Sequence, residues 1–204
     1  MARSVKKRHS LRRIAIVGDG ITEKIYFEQL RELERVKGVV IKPELPSKSS
    51  KGGSCKKAIN AAKSLVGEGY DHVYCLIDFD TVVSENKLAN FRQELKGMDN
   101  NITVYINNPC FEAWILFHFE KTGKAFDDCT AVEKTITKYL KDYRKDQGYL
   151  RRKNLYKILR PHLEVSAIPN ATFLEINREE KGDNYPRAEV FKFFLEEKII
   201  AAFQ

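Results

Sequence analysis

HVYCLIDFD, residues 72–80, runs apolar from Val73 to Ile77 without the polar alternation of a half-buried strand. A strand of that kind is covered on both faces, as in a parallel sheet flanked by helices. It ends in two carboxylates one residue apart, Asp78 and Asp80. The segments on either side repeat the pattern. RRIAIVGD (12–19) reads as a buried strand ending at a glycine turn, and TEKIYFEQLRELERV (22–36) as a helix. Ile25, Tyr26, Leu30 and Leu33 keep helical spacing there, and Thr22 is a candidate N-cap. GVVIKPEL (38–45) is a second strand, expected near an edge because Pro43 lacks an N–H. SCKKAINAAKSLVGEG (54–69) is a helix packing through Ala58, Ala61, Ala62 and Leu65. Downstream come a helix in NKLANFRQELKG (86–97), a strand in NITVYINN (101–108), and a helix in PCFEAWILFHFE (109–120) with Pro109 in its first turn.

This alternation over residues 12–120 predicts an α/β class: a mostly parallel central sheet flanked by helices, with right-handed crossovers. Beyond it the chain reads as helical, in AVEKTITKYLKDYRK (131–145), LRRKNLYKILRPHL (150–163), PNATFLEINRE (169–179) and a last helix starting after Pro186. Three parts are expected: a basic disordered arm (1–11), the α/β core (12–120) and a helical C-terminal extension packed on it (121–204).

The 204 residues suffice for one good-sized core. No apolar run approaches the roughly 20 residues a membrane span needs, and the N-terminus has no apolar segment of a secretory signal. No membrane partner and a cytoplasmic location are the expectation. Cys55, Cys75, Cys110 and Cys129 form no CxxC pair and have no His at ligand spacing, so four free thiols are expected rather than a zinc site. The net charge is +8, of which the first thirteen residues carry +6, so the rest of the chain is nearly neutral overall. The arm can meet nucleic acid through non-specific phosphate contacts, or be a solvated tail.

In an open α/β sheet, ligands gather at the carboxyl ends of the strands. Three strands bring chemistry to that edge: the first ends at Asp19, the third at Asp78 and Asp80, the fourth at Asn107 and Asn108, with Glu112 one helical turn later. Hard oxygen donors of this kind suit Mg²⁺ or Mn²⁺. Successive side chains of a strand point to opposite faces, so the D-x-D can serve one ion only if the chain turns between or after the acids. Each acid also has a plainer reading. Strand-end acids are often solvated, Glu23 can simply complement the helix dipole, and the cost of Glu112 in an apolar helix can be met by a metal or by an arginine. VGDGITE lacks the Lys and Ser/Thr of a P-loop and is not G-x-G-x-x-G, so its glycines serve the turn that exposes Asp19. Trp114 reads as core, Asn108 as a possible helix cap, and His118 as lying across the helix from Glu112.

Together these stretches resemble the RloB family of bacterial defence and restriction-locus proteins, which belong to the wider Toprim-like fold. GDGITEKIYF supplies Asp19, Gly20, Thr22, Glu23, Tyr26 and Phe27. The D-x-D supplies Asp78 and Asp80. NNPCFEAWILFHF supplies Asn108, Pro109, Phe111, Glu112, Trp114, His118 and Phe119, with a looser match at Tyr143 and Lys145. The resemblance implies a Toprim-like fold and a Mg²⁺-dependent nuclease of a phage-defence system, partnered by an ATPase. It implies metal ligands at Asp19, Asp78, Asp80 and Glu112, and proton-transfer or catalytic roles for Asp19, Glu23 and Glu112. Asp19 stands where the family has Glu. The carboxylate is retracted by about one C–C bond, and a displacement of ~1 Å can cost roughly 10²-fold in rate. A catalytically degenerate module that binds nucleic acid or a nucleotide, and a small-molecule phosphotransferase, are the alternatives.

A nuclease must also meet phosphate. Residues 134–160 carry ten Lys or Arg against two acids. Lys145, Arg151, Arg152, Lys153 and Lys157 are the candidates for contact with DNA or RNA, although a charged helix face is more often only solvated. Lys48, Lys51, Lys56 and Lys57 can add to that surface ahead of a helix N-terminus.

Overall fold

The computed structural model describes residues 12–18, 20–34, 39–44, 54–84, 88–178, 185–196 and 199. The basic arm, Asp19, Lys48 and Lys51 lie outside the described residues. Four strands, β1 (Arg12–Val17), β2 (Val39–Glu44), β3 (His72–Asp78) and β4 (Ile102–Asn108), pair in parallel in the order β2-β1-β3-β4. Their carboxyl ends therefore share one edge, with Asp78 in register with Asn107. A two-residue strand β5 (Arg187–Ala188) adds to β4 antiparallel. The expected α/β class holds.

The unbroken apolar run of β3 is explained by what covers it. Tyr74 and Leu76, with Ile14 and Ile16 of β1, belong to one hydrophobic cluster, and Val73, Cys75 and Ile77, with Ala15 and Val17, to a second. The second is closed by α2 (Ser54–Gly67), α3 (Phe79–Ser84) and α4 (Leu88–Lys96), through Ala58, Ala62, Val82 and Phe91 among others. The first is closed by α1 (Ile21–Glu34), α5 (Glu112–Phe117) and helices from beyond residue 120. These are α6 (Cys129–Ile136), α7 (Gln147–Lys153), α8 (Leu155–Leu159), α9 (Ile168–Ile176) and α10 (Phe191–Leu195). The fully buried Trp114 donates its indole N–H to Tyr26 Oη at 3.1 Å, which satisfies the polar end of a large core side chain. Gln29 ties α1 to the α7–α8 junction: its amide donates to the Leu150 carbonyl at 2.9 Å and accepts the Tyr156 N–H at 3.0 Å.

Four local expectations are corrected. Residues 131–145 do not form one helix. α6 ends at Ile136, after a run of β-branched residues in which Thr135 bonds back to the Ala131 carbonyl at 3.0 Å. Tyr143 and Lys145 thus lie on irregular chain following Asp142, which takes φ 61°. Residues 150–163 break at Asn154 (φ 51°), a residue that tolerates the left-handed region; its side chain then caps α8 by accepting the Lys157 N–H. The segment after Pro186 begins as β5 rather than helix, and Glu189 accepts the Ile106 N–H at 2.8 Å. Thr22 is not the cap of α1, because its hydroxyl turns to Glu112. Among the described residues, no helix is long and apolar enough to cross a membrane.

Candidate active site

The turn required of the D-x-D is present. β3 ends at Asp78 and α3 begins at Phe79, so the two acids sit on different elements. The Thr81 hydroxyl donates to the Asp78 carbonyl at 2.7 Å and fixes this junction. Asp78 is buried, and its Oδ1 accepts the Phe111 N–H at 2.8 Å, at the entry to α5. The backbone N–H of Asp80 donates to the Pro109 carbonyl at 3.0 Å. Asp80 lines a cavity of about 410 Å³ with Thr81, Asn108, Asp127 and Asp128. Asp128 also caps α6, accepting the Ala131 N–H at 2.9 Å.

Glu23 lies in the first turn of α1 and folds back over the preceding loop, 1% exposed. The two glycines of VGDG make room for it. A Cβ on Gly18 would come within 2.7 Å of Glu23 Cβ, and one on Gly20 within 2.6 Å of Glu23 Oε2. The glycine pattern therefore seats a carboxylate of the following helix.

Glu112 opens α5 and is wholly enclosed. Oε1 accepts the hydroxyls of Thr22 at 2.9 Å and Tyr143 at 3.3 Å, while Oε2 accepts from Lys145 Nζ at 3.0 Å. The charge of this acid in an apolar helix is thus met by a lysine 33 residues away. Burial alone would pull the Lys145 ammonium down, but Glu112, then Glu23 and Asp78, outweigh it and hold it above the usual lysine value. Three carboxylates from the end of β3 and the starts of α1 and α5 thus act on one ammonium. Burial, then Glu112 and Glu133, push the Tyr143 phenol well above its usual value, so it stays a hydrogen-bond donor.

Of the other sequence candidates, Arg151 is engaged by Glu28 at 2.7 Å, while Arg152, Lys153 and Lys157 are exposed. Lys145 lies inside the acid cluster rather than on that surface. His118 is buried; its Nδ1 lies 2.8 Å from the Trp114 carbonyl. The four-thiol expectation is corrected: Cys110 and Cys129 form a disulfide, while Cys55 and Cys75 are buried thiols. Sequence reading missed the roles of Thr22, Asp127, Asp128 and the cysteine pair. The Asp127-Asp128 pair just before an apolar-periodic stretch is a helix-start signal that could have found the cavity wall.

No curated protein and no solved structure matches the chain. The family model described as RloB-like protein matches residues 14–196, a span that holds Glu23, Asp78, Asp80, Glu112 and Lys145. The chain belongs to the RloB-like protein family.

Proposed function

We propose that the carboxyl edge of the sheet is a Mg²⁺-dependent phosphodiesterase centre acting on DNA or RNA. The supporting observations are that Glu112 pairs with Lys145 at 3.0 Å, that Glu23 and Asp78 also raise that ammonium, and that Asp80, two residues after Asp78, lines an open cavity. The polar residues lining that cavity, Asp80, Thr81, Asn108, Asp127 and Asp128, carry carboxylate, hydroxyl and amide oxygens, which fit Mg²⁺ or Mn²⁺. Asp80, with Asp78 across the strand–helix junction, is the pair that would hold the ion; Asp19 completes the family pattern but lies outside the described residues. When bound, the ion would neutralise phosphate charge and lower the pKa of a bound water.

The chain's own residues supply the rest. Lys145, with about a quarter of its side chain exposed, presents an ammonium to a phosphoryl oxygen. Glu112, itself held by the hydroxyls of Thr22 and Tyr143, keeps that ammonium in place and does not meet substrate. Glu23, packed against Gly18 and Gly20, would accept a proton from the attacking water. Arg152, Lys153 and Lys157 track the nucleic-acid backbone. A role in phage defence beside an ATPase follows the family resemblance and is part of the same proposal.

One observation favours a second reading. Glu112 and Lys145 neutralise each other, as in a binding module that no longer cleaves. Cleavage assays with Mg²⁺ or Mn²⁺, with and without the ATPase, separate the two. Loss of cleavage in Asp80→Asn and Asp78→Asn with nucleic-acid binding retained supports the enzyme. No cleavage by the wild type under either condition supports the module.

A further inference from the structure

The proposed hydrolysis leaves Cys110 and Cys129 without a role. Cys110 lies just before α5 and Cys129 opens α6, with their Cα atoms 5.7 Å apart. Their surroundings are charged, unlike those of a crosslink between apolar surfaces. Cys129 Sγ is 3.2 Å from Glu112 Oε2, 3.7 Å from Glu133 Oε1 and 3.9 Å from Lys145 Nζ. The sulfurs of Cys110 and Cys129 and a Glu112 carboxylate oxygen all lie within 4.8 Å of one another.

Two sulfurs and a carboxylate oxygen are a donor set for a borderline-soft divalent cation, unlike the all-oxygen set that Mg²⁺ takes. We propose that in the reduced chain Cys110, Cys129 and Glu112 bind Zn²⁺, leaving a fourth position open on the side of Glu133, and that the disulfide is the metal-free oxidised form of the same site. Charge supports both forms. Two thiolates and Glu112 carry three negative charges, offset by the ion and the Lys145 ammonium, with Glu133 a further acid 3.7 Å from Cys129 Sγ. In the disulfide form, Glu112 and Lys145 match each other. Glu112 Oε2 keeps its Lys145 hydrogen bond as the ligand-orienting contact that metal-bound carboxylates characteristically have.

Opening the disulfide takes a two-electron reductant. A phosphine gives two electrons to the disulfide and leaves as the phosphine oxide, taking its oxygen from water, and the two sulfurs take up that water's protons as thiols. Each thiol releases its proton to solvent when the cation binds.

The test uses the full-length protein reduced with a phosphine and titrated with Co²⁺, then with Zn²⁺. The expected result is a thiolate-to-cobalt charge-transfer band saturating at one equivalent and erased by Zn²⁺. The band is lost in Cys110→Ser/Cys129→Ser and kept in Cys55→Ser/Cys75→Ser. A folded, reduced wild type with no such band overturns the proposal, as does a band that survives in the Cys110→Ser/Cys129→Ser variant. A second readout uses the wild type alone. Diamide takes two electrons from the two zinc-bound thiolates and two protons from solvent, becoming the hydrazine, and should release the Zn²⁺ in step with disulfide formation measured by mass. Zinc retained after Cys110 and Cys129 have joined also overturns the site.

Discussion

Lys145 Nζ stands 3.0 Å from Glu112 Oε2, the acid fully enclosed and the lysine 28% exposed. The pair joins the start of α5 to the irregular chain between α6 and α7. Removing the lysine leaves the Glu112 charge buried and uncompensated. Lys145→Met should therefore destabilise the fold by roughly 3 kcal/mol, and Lys145→Met/Glu112→Gln by clearly less. Urea denaturation at pH 7 checks this; a single variant as stable as the wild type would show that the pair contributes nothing. The ammonium's pKa is raised on folding, so its contribution is fully present below the ordinary lysine value of about 10 and is lost as pH rises beyond it.

The loop ahead of α1 makes a sharper distinction. Gly18 and Gly20 both abut Glu23, but at different atoms. A methyl on Gly18 meets the Glu23 Cβ, which is anchored to the helix, whereas one on Gly20 meets the carboxylate, the movable end. Gly18→Ala should lose about 1–3 kcal/mol of stability, the usual cost of an overpacked site. Gly20→Ala should keep most of its stability while displacing the carboxylate, and lose cleavage by roughly 10²-fold if Glu23 takes the water's proton. Thermal melts and cleavage rates on the same two proteins check the ordering, and equal effects of the two substitutions on stability would contradict it.

Asp78 and Asp80 separate in the same way. Asp78 Oδ1 accepts the Phe111 N–H, so Asp78→Ala orphans a buried donor and should cost about 1–3 kcal/mol. Asp78→Asn keeps an acceptor at that position and should leave the melt close to wild type. Asp80→Ala, at the cavity wall, should change stability less than Asp78→Ala. The three melting curves give the result directly, and Asp78→Ala melting like wild type would remove Asp78 from the α5 entry.

The sheet was legible because its strands announce themselves locally: the β3 run needs no distant information to imply burial on both faces. The shared edge of Asp78 and Asn107 was legible for the same reason, since parallel strands share their ends. Lys145 was not. Its position depends on the early end of α6 at Thr135–Thr137 and on the left-handed Asp142, both of which defeat a helical periodicity that otherwise continues to residue 145. β5 was hidden because two residues carry no period at all, and the Cys110–Cys129 pair because 19 residues separate it. The charge surface was half legible: the composition found the basic residues, but only the fold shows that Arg151 is held by Glu28.

That difference sets an expectation for nucleic-acid binding. Arg152 and Lys153 are exposed, and abolishing one phosphate interaction should lower the slope of log affinity against log salt by about 0.9 on a duplex, or about 0.7 on a single strand. Arg152→Gln/Lys153→Gln should therefore flatten the slope by nearly two such steps, and Arg151→Gln, already ion-paired, by less than one. Fluorescence anisotropy across a salt series reads the slopes. An unchanged slope in the double variant would exclude α7 from the interface.

His118 predicts how the fold responds to acid. Burial, its largest influence, and the nearby His162 depress the imidazole to about 3, against the opposing effect of the Trp114 carbonyl. Nδ1 donates to that carbonyl, and Nε2 is buried without a hydrogen-bond partner among the described residues, so protonation would place a charge where nothing receives it. The folded chain therefore holds His118 neutral while the unfolded chain binds a proton below about 6.5. Stability from this group is fully present above that pH and falls as pH drops, by about 1.4 kcal/mol per unit, until the folded value is reached. Between pH 6.5 and 5 the wild type should lose roughly 2 kcal/mol more than His118→Phe, whose ring cannot take a proton. Urea midpoints at the two pH values measure the difference, and parallel losses in the two proteins would show that another group carries the acid sensitivity.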